Sequence, residues 1–258
     1  APVTVAGVTT ITRPNITGLL RNEHLDNTDG TTVSSGNSIF DIFNGGGTST
    51  FSNAVPPIAG TTCLALDGTS AQRVIKDSTS LPGPVNGGAA LRNIYGRLYI
   101  RKSSSNTTTR CWVLESSVPT VGVDIAVMRL NGAGTLSILD ATTIRATSTR
   151  VVSTTEWTRC EFHADQDADT ITLRLWWGAD LHNPATGVTN YEQISGTLNS
   201  ETEIEVWSVG SHAQSSTIIY MDEIAIGTGD WIGPSQTVAT QAAPLQIYQR
   251  PYRPLLVR

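Results

Sequence analysis

Charge is scarce in this chain, at 15% of 258 residues, and the balance is acidic, with a formal net charge of -5. A duplex-binding surface needs clustered Lys and Arg to neutralise phosphates, so nucleic acid is not an expected partner. Cysteine is nearly missing: Cys63, Cys111 and Cys160 make an odd count, each inside an alternating apolar run. They are expected as small free core residues, as in a protein assembled in a reducing cytosol. No apolar run is long enough to cross a bilayer, so no membrane partner is expected either. The opening APVTVAGVTTITRPN lacks the basic start and apolar block of a secretion signal. His24, His163, His182 and His212 are too scattered for a zinc pair, and no G-x-S-x-G, P-loop or dinucleotide fingerprint is present. Helical periodicity and βαβ alternation are absent as well, which excludes the α/β classes.

What the chain does have is period-two alternation rich in Thr, Val and Ile, punctuated by 23 Gly and 12 Pro. Alternation places successive side chains on opposite faces of an extended strand. Ala90–Arg101 puts Ile94, Leu98 and Ile100 on one face and Tyr95, Arg97, Tyr99 and Arg101 on the other. Asn131-Gly132 predicts a hairpin turn, and Ala164–Asp169 predicts a second between Glu156–His163 and Thr170–Trp177. In that outgoing strand Ile171, Leu173 and Leu175 face one way, Thr172, Arg174 and Trp176 the other. Ser216–Pro234 reads as the closing strand, with Ile218, Tyr220, Asp222, Ile224 and Ile226 on one side. The whole predicts an all-β, antiparallel two-sheet β-sandwich, a size that suits a single unit of roughly 200–250 residues.

The closing run IYMDEIAI (Ile219–Ile226) with GDWIGP (Gly229–Pro234) resembles the last strand of concanavalin A-like, laminin-G-like jelly-roll domains. DNTDGTTVSSGNS (Asp26–Ser38) and GTTCLAL (Gly60–Leu66) are similar to that family's opening strands, and EWTRCEF with TITLRLW (Glu156–Trp176) to its central hairpin. Such domains occur in bacteriophage virion proteins and in secreted glycan-binding proteins and glycanases. The resemblance implies a sandwich over residues 22–234. Residues 1–21 alternate weakly and break at Pro14, so they read as an N-terminal arm, and 235–258 read as a C-terminal docking tail. These are framework motifs, which speak for fold before function.

Several groups are candidates for chemistry. Glu201, Glu203 and Glu205 fall on one strand face, similar to the carboxylate strand of the family's retaining glycanases, although the central acid there is Asp. Trp207 lies on their side and Trp176 on the polar side of its own strand, so both are candidate sugar platforms. Tyr95, Arg97, Tyr99 and Arg101 alternate on one face, a pattern in which rings beside guanidinium groups would hold a glycan or serve a polysaccharide lyase. The ligand-binding set is therefore Tyr95, Arg97, Tyr99, Trp176, Glu203, Glu205 and Trp207. Asp165, Asp167 and Asp169 fail the EF-hand pattern, because Thr170 and Trp176 stand at its Gly and Glu positions. A polar turn is the expected reading, and no cofactor is required, though a looser calcium site on oxygen ligands stays open there.

The tail carries Ile247, Tyr248, Tyr252, Leu255 and Leu256 among prolines, too many apolar groups for a solvated end, so it is expected to dock on a neighbouring subunit. With the resemblance, this makes a bacteriophage virion structural protein the expected function, either a capsid decoration or a minor tail protein assembled in the host cytoplasm. Its partners would be major capsid or tail proteins, copies of itself, and host-surface glycan. The alternatives are a secreted glycanase or polysaccharide lyase, and a plain carbohydrate-binding module.

Overall fold

The computed structural model describes residues 10–11, 19–23, 26–34, 37–38, 40, 42–44, 49–66, 73–77, 91–104, 108–116, 123–199, 204, 206–210, 217–235 and 237–238. The strands in chain order are β1 (Thr10–Ile11), β2 (Leu19–Glu23), β3 (Ile42–Asn44), β4 (Ser49–Ser52), β5 (Cys63–Leu66), β6 (Arg73–Asp77) and β7 (Asn93–Lys102). Then come β8 (Thr109–Glu115), β9 (Asp124–Leu130), β10 (Thr135–Asp140), β11 (Thr143–Val151), β12 (Thr158–Asp165) and β13 (Thr170–Trp177). After a 3-10 turn at Gly178–Asp180 follow β14 (Tyr191–Thr197), β15 (Val206–Val209), β16 (Ile219–Gly227) and β17 (Thr237–Val238).

Two antiparallel sheets face each other, as the alternation predicts. One runs β11-β10-β9-β8-β15-β6-β3; the other runs β14-β13-β12-β7-β16-β5-β4, with β2 also on β16. The far edge of β16 is shared, its first half pairing with β5 and its second with β2. Because β2 begins at Leu19, the sheet reaches into the segment assigned to the arm, and β1 pairs with β17. The expected hairpins form: Gly134 takes the left-handed position of the first, at φ 86°, and its amide donates to the Asn131 carbonyl.

The core lies between the sheets. Ile94, Leu98 and Ile100 of β7 and Ile171, Leu173 and Leu175 of β13 point into it, as read from the sequence. Trp112 and Trp207 stack there with ring centroids 5.5 Å apart, and Phe40 packs against Trp207 at 6.1 Å. Gly96 of β7 passes so close under Trp112 that an added Cβ would lie 2.5 Å from the indole. Cys63, Cys111 and Cys160 are free and buried, and burial pushes the Cys63 and Cys111 thiols up to about 12, so both stay protonated.

The closing strand departs from the expected phase. Ile219 and Met221 face the core in its first half, Ile224 and Ile226 in its second. The phase changes because β16 spends four residues, Asp222 to Ala225, against three on β7, Tyr99 to Arg97. Glu223 sits in this β-bulge at φ 49°. The bulge turns two adjacent carboxylates, Asp222 and Glu223, toward the outer face of the sheet, which regular strand geometry forbids.

Candidate functional site

The outer face of the β14-β13-β12-β7-β16 sheet carries a ladder of polar and aromatic side chains. Register places Tyr99 beside Arg159, Arg97 beside Glu161 and Tyr95 beside His163. One strand further, Trp176, Arg174 and Thr172 oppose Arg159, Glu161 and His163; on the next strand come Tyr191, Gln193 and Ser195. Alternation alone selects these residues, since each flanks a core residue of its own strand.

The ladder divides into a covered part and an open part. In the covered part Arg97 is 0% exposed and Glu161 1%. Arg97 donates from Nε to the Glu223 carbonyl and from Nη1 to the Gly233 carbonyl, both at 3.1 Å, and its Nη2 lies 3.6 Å from the Glu223 carboxylate. Ser235 donates its hydroxyl to that carboxylate and its amide to the Tyr99 phenol oxygen. Arg159 holds the other loop, donating to the carbonyls of Leu181 at 3.0 Å and Asn183 at 2.8 Å, with its guanidinium 3.7 Å from the centre of the Trp176 ring. Glu161 lies 3.2 Å from Arg159 Nε, near enough for charge attraction although no aligned hydrogen bond forms. Burial raises the Glu161 pKa, opposed by Arg159 and by the backbone of Gly233. These groups pin residues 181–183 and 233–235 across the sheet.

Beside them, Asp222 accepts from the amides of Ile58 at 2.7 Å and of Glu223 at 2.8 Å. Burial, then the neighbouring Glu223, pushes its pKa up to about 7, against the pull of those amides. Asp222 thus anchors the 53–61 loop, under which Tyr99, Trp157, Tyr220 and Val55 form a small apolar cluster.

The open part is aromatic. Tyr95 and His163 stack face to face at 3.9 Å, and Trp231 meets both edge-on at 5.5 Å. Arg174 lies 3.7 Å from the centre of the Trp231 ring and donates from Nε to Gln193 at 3.0 Å; the Tyr191 hydroxyl donates to the same oxygen. His163 also bonds Asn93 at 3.0 Å, and burial lowers its pKa, favouring the neutral ring. All of Tyr95, His163, Arg174, Tyr191 and Trp231 are half-buried, and Gln193 and Ser195 are exposed.

Of the residues singled out from sequence, Tyr95 belongs to this open cluster. Arg97 and Tyr99 share its strand face but are sealed beneath the loops, and Trp176 is 1% exposed, its indole N–H donating to the Ala185 carbonyl. Those three hold the face together; a ligand cannot reach them as they stand. Trp207 requires a correction: its ring points between the sheets, 1% exposed, because Trp207 and not Val206 turns toward Trp112. Arg101 donates to the Thr154 carbonyl. Glu201, Glu203 and Glu205, and the tail residues Ile247, Tyr248, Tyr252, Leu255 and Leu256, lie outside the described residues. Asp165 accepts from the amides of Asp167 and Ala168, Asp167 pairs with Arg92 at 2.7 Å, and Asp169 takes φ 54°, so this trio builds the hairpin turn. No group of three or more metal-ligating side chains occurs among the described residues. His163 and Trp231 were not singled out; His163 alternates with Glu161 and Arg159, and Trp231 stands in a Gly-bounded loop, the only local signals for either.

No family model matches the chain, and no curated protein matches it in sequence. Solved structures do. Domain 4 of AbnA, a GH43 extracellular arabinanase from Geobacillus stearothermophilus, in complex with arabinotriose, superposes with TM-score 0.50 at 17% identity, over 85% of this chain and 96% of that one. Lectin I-B4 from Griffonia simplicifolia gives 0.47 at 12% identity over 72% and 92%, and peanut lectin 0.47 at 9% over 80% and 95%. The first of these likenesses is one of fold alone, the antiparallel two-sheet β-sandwich that the sequence predicts.

Proposed function

We propose that this chain is a glycan-binding protein whose sugar platform is the Tyr95, His163 and Trp231 cluster, with Arg174, Gln193 and Tyr191 as polar partners. The carrying observation is the pairing of half-buried rings with a guanidinium and a carboxamide at the open edge of an otherwise sealed polar face. Sugars present apolar C–H faces and a rim of hydroxyls, which rings and planar hydrogen-bonding groups complement together. Binding without turnover is our reading. Of the acids of this face, Glu161, Asp222 and Glu223 are buried and committed to Arg159, to the amides of Ile58 and Glu223, and to Arg97 and Ser235, while Asp165 holds the turn amides of Asp167 and Ala168.

Replacing Trp231 by Ala is expected to weaken binding to the best ligand of a glycan array about tenfold or more, from the loss of one stacked ring. Direct titration of the two proteins against that ligand is the check. Unchanged affinity in Trp231→Ala, with the fold intact by circular dichroism, sinks the assignment.

The wider setting we assign is the bacteriophage virion, as a capsid decoration or minor tail protein that presents this face to host-surface glycan. Its supports are the framework resemblance and the apolar, Pro-containing sequence of 239–258. Light scattering of the full chain should show self-association, or binding to capsid or tail particles, that a chain ending at Val238 loses. The cut spares β17 and the core sheet. Identical monomers with no particle binding would remove the virion role and leave the glycan platform standing.

A further inference from the structure

At the opposite end of β7 from Tyr95, an open cleft of about 460 Å³ is lined by Lys102, Arg150, Val151, Val152, Ser153, Thr154, Thr155 and Glu156. Lys102 lies seven residue steps along the strand from Tyr95, about 23 Å at ~3.3 Å per residue, so this is a different place from the aromatic platform. Lys102 is 5% exposed, and among the described residues its ammonium has neither a hydrogen-bond nor an ion-pair partner. Its Nζ lies over Gly134 so closely that an added Cβ there would clash with it. The β9–β10 turn is thus shaped around the lysine tip: Gly134 takes a left-handed conformation, at φ 86°, and accepts from the Val152 amide at 2.8 Å.

A second cation borders the same space. Arg150 is held over the Trp177 ring at 4.7 Å, its Nη2 lies 3.5 Å from the Glu156 carboxylate, and its buried Nε is unpartnered. The loop between them is wound on Ser153, whose hydroxyl accepts from the amides of Thr155 and Glu156 at 3.0 Å, while the Ser153 carbonyl accepts from the Lys102 amide. The wall therefore carries two positive groups, the single carboxylate of Glu156 and the hydroxyl side chains of Thr154 and Thr155.

The Lys102 stem is buried while its ammonium borders the open cleft with no opposite charge beside it, so solvent or an anion entering the cleft must meet that charge. Burial lowers the Lys102 pKa, with no nearby charge opposing the shift. Glu156 is turned to Arg150, and Glu192 is taken up by the amides of Thr149 and Arg150, so among the described residues neither carboxylate meets the Lys102 ammonium. We infer that this cleft is an oxyanion-binding site, taking one carboxylate or sulfate group with Lys102 as its main contact and Arg150 as its second. A uronic acid or a sulfated sugar offers such a group beside a hydroxyl-rich ring, and the cleft volume accommodates one residue of either kind.

The test is a titration of the isotope-labelled full chain, followed by amide NMR, with sodium sulfate and separately with sodium glucuronate, at ionic strength held constant with chloride. Saturable shifts at Gly134 and at the amides of Val152–Glu156 are expected. Lys102→Met keeps the apolar stem and removes the charge; it should weaken the apparent affinity about tenfold or more, and Arg150→Gln should weaken it by a smaller factor. Saturation by sulfate alone identifies a sulfate ester, by glucuronate alone a carboxylate, and by both a general oxyanion site; each supports the inference. Shifts that rise linearly with either salt, or an affinity unchanged in both folded variants, overturn it. Neither variant touches the Tyr95, His163 and Trp231 platform, so failure here leaves the proposed function as it stood.

Discussion

Replacing Arg97 by Met is expected to destabilise the protein by about 3–5 kcal/mol, the usual cost of stripping one partner from a buried ion pair. Arg97 is fully enclosed, and its three nitrogens reach the Glu223 carbonyl, the Gly233 carbonyl and the Glu223 carboxylate. Methionine fills the volume of the stem and satisfies none of these. The Glu223 carboxylate would then keep the Ser235 hydroxyl but lose its cation, and the Gly233 carbonyl would lose a donor, loosening residues 231–235. Because Trp231 rides on that segment, glycan affinity should fall along with stability. Denaturant unfolding of Arg97→Met, Glu223→Gln and the double variant measures the effect. The double variant is expected to lose clearly less than the sum of the singles, since the two substitutions remove one shared interaction. Additive losses, or a single variant within ~0.5 kcal/mol of the parent, would show that the pair does not hold the segment.

Trp207→Ala tests the inter-sheet core, and a loss of about 3–5 kcal/mol is expected from the cavity left between the sheets. Trp207 stacks on Trp112 at 5.5 Å and meets Phe40 at 6.1 Å, so no single neighbour can move in to fill the space. The informative contrast is with Trp231→Ala. A sugar-contacting tryptophan on the surface costs affinity and little stability, whereas a core tryptophan costs stability and leaves the affinity of the folded fraction unchanged. Melting curves together with ligand titration well below the transition separate the two. If Trp207→Ala melted with the parent and lost glycan binding, the placement of the ring between the sheets would be wrong.

Much of the fold was legible because a strand's alternation is a local property. Ile94, Leu98 and Ile100 declared the inner face of β7, and Ile171, Leu173 and Leu175 that of β13, without reference to anything distant. The period of two is interrupted in two places. In β16 the extra residue at Glu223 reversed the phase, so the run from Ile218 to Ile226 could not lie on one side, although its residue types suit a strand throughout. Around Ile204 to Val209 the inward positions are Ile204, Trp207 and Val209, a spacing that defeats strict alternation and misplaced Trp207.

The site was harder still. The regular alternation of β7 marks Tyr95, but its partners stand on β12, at His163, and beyond β16, at Trp231, and nothing in the chain links three residues so far apart except pairing register. Nor does sequence say which polar residues a loop will cover. Arg97 and Tyr99 share the strand face of Tyr95 and differ from it only in lying under residues 181–183 and 233–235. By itself, then, the sequence determined the all-β class, the antiparallel sandwich and the division of most strands into an inner and an outer face, because hydrophobic alternation is written residue by residue. Only the tertiary structure decided which outer-face groups meet, which are sealed and which remain open to a ligand, because register, a single bulge and loop cover are set by contacts between segments distant in the chain.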